Sequence, residues 1–141
     1  MPSFSHSVEL PQPPDQVFPW LLDEDKVPQW TSDLKSYAVH GAPGVGAHAV
    51  QMLDLAGGIN LDMEITRYDP PSAVAMRAET NGVQLTSAYT LQPSGRGSTL
   101  TQTLDAKAGG LQGRMIVGVV KPRLEKKVTT DLERLRGVLG A

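Results

Sequence analysis

The sequence predicts an α+β fold: a curved antiparallel sheet of about seven strands around one long C-terminal helix, with two short helices after the first strand. Three observations predict it. Apolar residues alternate with a period of two from Phe4 to Leu10 and again, between turn signals, from Leu34 to Ala106. Clusters of Gly, Pro, Asn and Asp punctuate that region about every 8–12 residues, the spacing of consecutive hairpins. After Gly109-Gly110 the apolar period lengthens to that of a helix.

Each element follows in order. Phe4, His6, Val8 and Leu10 alternate with Ser5, Ser7 and Glu9, giving a strand with one face buried. Pro11, Pro13 and Pro14 end it, because proline donates nothing to a ladder. Pro14 and Asp15 suit the first turn of a helix carrying Val17, Phe18, Leu21 and Leu22, with Pro19 making it short and irregular. A second short helix or turn covers Asp23 to Trp30. Tyr37 and Val39 then mark a strand closed by Gly41-Ala42-Pro43-Gly44, and Val50 and Met52 are taken as the inward row of the next. Gly57-Gly58 reads as a hairpin turn. Ile59, Leu61, Met63 and Ile65 form the clearest strand, ended by Asp69-Pro70-Pro71-Ser72. Val74, Met76 and Ala78 follow, then a hairpin signal at Asn81-Gly82. Val83, Leu85, Ser87, Tyr89 and Leu91 make the next row, and Leu100, Gln102 and Leu104 the last. Leu111, Met115, Val119, Leu124, Val128, Leu132, Leu135 and Leu139 trace a helix of about thirty residues by their three- to five-residue steps. Gly118 and Pro122 should bend or break it.

Composition narrows the function. The chain has 141 residues, with 40% apolar and 20% charged residues, and is read as one domain over 1–141. Without cysteine it has no disulfide, no thiolate nucleophile and no Cys-based metal site. Thirteen basic against fifteen acidic residues supply no basic face for nucleic acid. Lys121, Arg123, Lys126 and Lys127, interleaved with Glu125 and Asp131, read as a solvated helix face. The N-terminus lacks the charged and apolar regions of a signal peptide, and no apolar run reaches the ~20 residues of a membrane span, so a cytoplasmic location is expected.

Hairpin-linked strands twist strongly, and one helix covers only part of a concave sheet. The inward rows mix small and large residues, and two Phe, two Trp and three Tyr leave little aromatic bulk to fill a wide gap. A cavity between sheet and helix is therefore expected.

The order of elements, with Pro14-Asp15-Gln16-Val17-Phe18, Trp30, Gly44-Val45-Gly46, Tyr68-Asp69-Pro70-Pro71, Gly97-Ser98-Thr99 and Asp131-Leu132-Glu133-Arg134-Leu135, resembles the START-like superfamily. This group is also called SRPBCC, or the polyketide cyclase/dehydrase and lipid-transport family. The resemblance covers nearly the whole chain. It implies the helix-grip fold and a deep cavity for a lipid, polyketide or other hydrophobic molecule. A minority of members are cyclases.

Ser87, Tyr89 and Gln102 are polar residues on otherwise apolar inward rows, so each needs a partner, which a ligand could supply. They are the first candidates for a binding site, with Tyr89 foremost. Trp30, Met63, Met76, Leu85, Met115 and Val119 are candidate apolar walls. His6 and His48 fall on rows taken as inward and are candidate donors or acid–base groups. Three histidines on distant strands make no metal site, and no cofactor is expected. No carboxylate pair or nucleophile elbow is present. The sequence thus favours a carrier or sensor of a small hydrophobic or aromatic molecule. The alternatives are a cyclase or aromatase moving protons with Tyr89, His6 or His48, and an interaction protein with a filled pocket that forms a homodimer.

Overall fold

In the computed structural model, which describes residues 3–54, 58–80 and 82–140, seven antiparallel strands form one sheet in the order β1-β7-β6-β5-β4-β3-β2. The strands are β1 (Ser3–Leu10), β2 (Leu34–His40), β3 (His48–Leu53), β4 (Ile59–Asp69), β5 (Ala73–Thr80), β6 (Val83–Ser94) and β7 (Gly97–Ala108). Strands β2 to β7 pair with their neighbours in sequence, as the regular turn spacing requires. Strand β1 pairs with β7, Leu10 opposite Ser98 and Ser3 opposite Asp105. Of the expected hairpin turns, Gly57 and Asn81 lie outside the described residues.

Helix α1 (Pro14–Val17) begins with proline at its first position and runs into a 3₁₀ turn, Phe18–Leu21. Pro19 shortens it as expected. A second 3₁₀ turn, Val27–Gln29, leads to Trp30, which is 1% exposed. These pieces plug one end of the core: Val17, Phe18, Leu21 and Trp30 are buried.

Helix α2 (Leu111–Gly140) lies against β1, β7 and β6. It continues through Pro122 without a break. Proline removes the bond to the carbonyl four residues back, which belongs to Gly118, and both residues are exposed, so water can serve that carbonyl. The start of α2 is pinned to the β5–β6 turn, where the Gly109 N–H donates to the Gly82 carbonyl at 2.7 Å. A Cβ on Gly113 would stand 2.6 Å from that same Gly82 oxygen, so the helix can approach the turn this closely only with glycine there.

Three expectations about side-chain direction need correction. In β3 the inward residues are Ala49, Gln51 and Leu53, so His48, Val50 and Met52 face out. In α2 the expected stripe is out of phase in its first third. Leu111, Met115 and Val119 are 76%, 67% and 63% exposed, while Gly113, Ile116, Val117 and Val120 turn toward the sheet. The five-residue step from Val119 to Leu124 rotates about 140°, onto a different face. Finally, Lys127 and Asp131 are not solvated; their side chains are 11% and 6% exposed.

Candidate functional site

The space between α2 and the sheet contains two cavities. The outer one, about 410 Å³, lies under the first half of α2. Its floor is Ile59 and Leu61 of β4, Val83 and Leu85 of β6, and Ala106 of β7. Its roof is the helix face from Met115 to Leu124, with Ile116, Val117 and Val120 pointing in. The walls are almost wholly apolar because both contributing elements place β-branched or aliphatic residues there, apart from Thr80 and Lys121. Met115 and Val119 belong to this cavity although they are exposed, so they stand at its opening.

The inner cavity is smaller, about 80 Å³, and of different chemistry. Leu61, Leu85 and Leu124 line both cavities and form the throat between them. Beyond the throat, Ser87 and Tyr89 of β6 meet Gln102 of β7 and Gln51 of β3. Tyr37, Thr31, Lys127 and Asp131 complete the polar walls, with Met63 and Met76 among the apolar ones. Sheet register explains the convergence: Tyr89 lies directly opposite Gln102, and Met76 opposite Ser87.

The polar groups are tied together. The Gln102 amide Nε2 donates to Ser87 Oγ at 3.1 Å. Tyr37 Oη donates to the Leu22 carbonyl at 2.8 Å. Lys127 Nζ donates to Asp131 Oδ2 at 2.7 Å and to the Ser32 carbonyl, while Asp131 Oδ1 accepts the Ser32 N–H at 2.7 Å. Burial first, and Asp131 second, push the Tyr89 phenol well above its ordinary pKa, so it stays protonated and acts as a donor. Trp30 braces Tyr89 edge-on with ring centroids 6.4 Å apart, and its own Nε1–H donates to the Trp20 carbonyl at 2.9 Å.

The sequence candidates therefore divide. Ser87, Tyr89, Gln102, Met63 and Met76 surround the inner chamber, Leu85 stands in the throat, and Met115 and Val119 stand at the opening. Trp30 supports Tyr89 from behind and lines neither cavity. His6 also lines neither; its Nε2 donates to Glu133 Oε2 at 3.1 Å, joining β1 to α2. That hydrogen bond, aided by Arg136, holds the Glu133 carboxyl below the usual range. His48 is on the outer face, where Nδ1 donates to Asp62 Oδ1 at 2.7 Å. Sequence reasoning missed Gln51, Tyr37, Lys127 and Asp131. Only Gln51 carried a usable signal, sharing parity with Leu53 and Ala49.

Among the described residues no group of His, Asp and Glu is arranged to hold a metal ion, and no helix is long and apolar enough to cross a membrane.

Comparison with known proteins agrees with this architecture. The family model described as polyketide cyclase / dehydrase and lipid transport matches residues 1–140. An uncharacterized protein of Mycobacterium tuberculosis, Rv2574, is 26% identical over 137 residues, covering 94% of this chain and 81% of its own. Among solved structures, TTHA0849 from Thermus thermophilus superposes with a TM-score of 0.79 at 16% identity, over 96% of this chain and 95% of that one. The di-domain ARO/CYC StfQ of the steffimycin biosynthetic pathway superposes with a TM-score of 0.77 at 10% identity, over 98% of this chain and 50% of that one. At such identities the superpositions establish the fold.

Proposed function

The chain belongs to the polyketide cyclase/dehydrase and lipid-transport family, and from that premise we propose that it binds a small hydrophobic or aromatic molecule between α2 and the sheet. The observation that carries this reading is the apolar cavity of about 410 Å³. Its size lies in the range of small-molecule sites, and its walls offer a ligand burial without polar cost. Binding is favoured over proton-transfer chemistry by the placement of the ionisable groups. Neither His6 nor His48 lines the cavity, Lys127 and Asp131 are bonded to each other, and Tyr89 holds its proton.

The test is fluorescence titration with N-phenyl-1-naphthylamine, an apolar dye that brightens when desolvated. Wild-type protein should bind it saturably at one site. Ala106→Phe places a ring in the outer cavity from the sheet side and should weaken binding at least tenfold, with the thermal midpoint little changed. Absence of saturable binding to the wild type, or full retention of affinity in Ala106→Phe, would remove the basis of the assignment.

A further inference from the structure

We propose, building on a ligand in this cavity, that the ligand is an uncharged amphiphile whose apolar body fills the outer cavity and whose single neutral oxygen group, a ketone, ester or phenol, passes the leucine throat into the polar inner chamber. The two cavities adjoin at Leu61, Leu85 and Leu124, three buried side chains that must part for one molecule to span both. The inner chamber of about 80 Å³ has room for two or three waters, at roughly 30 Å³ each, or for a carbonyl or hydroxyl with its first substituent. It has no room for a second ring. Polarity therefore belongs at the deep end of the ligand and bulk at the outer end.

Hydrogen-bond capacity at the deep end fits an oxygen. Ser87 Oγ already accepts from Gln102 Nε2, and its own hydroxyl hydrogen is directed at the Tyr89 oxygen. The Tyr89 hydroxyl, kept protonated by burial, is therefore the donor left for a ligand oxygen. Gln102 Oε1 remains as an acceptor, which suits a phenol or enol O–H.

Charge at the deep end selects a neutral head. The one cation there, Lys127, is engaged by Asp131 and by the Ser32 carbonyl, and the one carboxylate, Asp131, is engaged by Lys127 and the Ser32 N–H. A carboxylate head would be desolvated with no uncommitted cation, and an ammonium head with no uncommitted carboxylate. A cation is available only at the opening, where Lys121 lines the outer cavity with Glu125 3.8 Å away. An anionic ligand would consequently bind in the reverse orientation, head outward.

Three probes of one shape separate these cases: naphthalene, 2-acetylnaphthalene and 2-naphthoate, each measured by displacement of N-phenyl-1-naphthylamine from the full chain. The ketone should bind at least tenfold more tightly than naphthalene and than the naphthoate. Tyr89→Phe should lower ketone affinity about five- to tenfold and leave naphthalene affinity unchanged. The proposal is overturned if the dye binds but 2-naphthoate matches the ketone, or if the ketone's advantage over naphthalene survives in Tyr89→Phe. If neither dye nor probe binds the wild type, this proposal and the ligand-binding reading fall together, and that outcome is distinct from the former two.

Discussion

Asp131→Ala is expected to cost about 3–5 kcal/mol of folding stability, read as a shift of the urea midpoint at pH 7. The reason lies in what the substitution strands. Asp131 is 4% exposed and receives two hydrogen bonds, one from Lys127 and one from the Ser32 backbone. Its removal leaves a buried ammonium with no counter-charge and a backbone N–H with no acceptor, and both penalties are far larger than the net worth of an intact pair. The same two residues fasten the segment after the Val27–Gln29 turn to α2, because Lys127 also donates to the Ser32 carbonyl. Replacing both charges at once, Lys127→Met with Asp131→Leu, should recover much of the loss, since nothing charged then remains desolvated. A single variant as stable as wild type would show the pair to be hydrated in solution.

Gly97→Ala should be nearly as damaging, at about 3 kcal/mol or more, the upper end of overpacking costs. A Cβ at Gly97 would lie 2.0 Å from the Leu10 carbonyl oxygen and 3.0 Å from the Leu10 and Pro11 carbonyl carbons. These are backbone atoms and cannot rotate away as a side chain does. Relief requires β1 to lift from β7 at its last pair, Leu10 opposite Ser98, and to pull Gln12, whose carbonyl accepts the Ser98 hydroxyl at 2.9 Å. Gly95→Ala is a useful contrast. That position has open space around it and a positive φ of 61°, so only modest backbone strain is expected. Equal midpoints for Gly97→Ala and wild type in thermal unfolding would contradict the close approach.

The architecture was legible in the sequence because its signals are local. Ile59, Leu61, Met63 and Ile65 alternate cleanly, and each turn carries residues that suit it, so strand number and antiparallel order followed from the chain alone. Direction was less legible where local hydrophobicity misleads. In β3 the larger apolar residues Val50 and Met52 face out while Ala49 and Gln51 face in: Ala49 is fully buried in the core, where its small size fits, and Gln51 borders the polar chamber. In α2 apolar residues occur on both faces from Leu111 to Val120, so no stripe could be phased without the partner surface. The polar centre was half legible. Ser87, Tyr89 and Gln102 stood out as polar residues in apolar rows, whereas Lys127 and Asp131 looked like any solvated helix pair. Their burial is decided by Ser32, 99 residues before Asp131, and a contact of that range leaves no local trace.

The pairing of β1 with β7 has a consequence for biosynthesis. Ser5 bonds to Thr103, 98 residues later, whereas the strands from β2 onward meet partners a short turn away. A ribosome adding roughly 5–20 residues per second releases the Ser3–Leu10 segment about 5–20 s before its partner exists. Throughout that interval the nascent meander can zip up hairpin by hairpin while the earlier segment waits untethered, its apolar Val8 and Leu10 unprotected. Docking of β1 at the sheet margin is thus a late event, with α2, made after β7, still to pack on both strands, and chaperone engagement should concentrate on the β1 segment during translation.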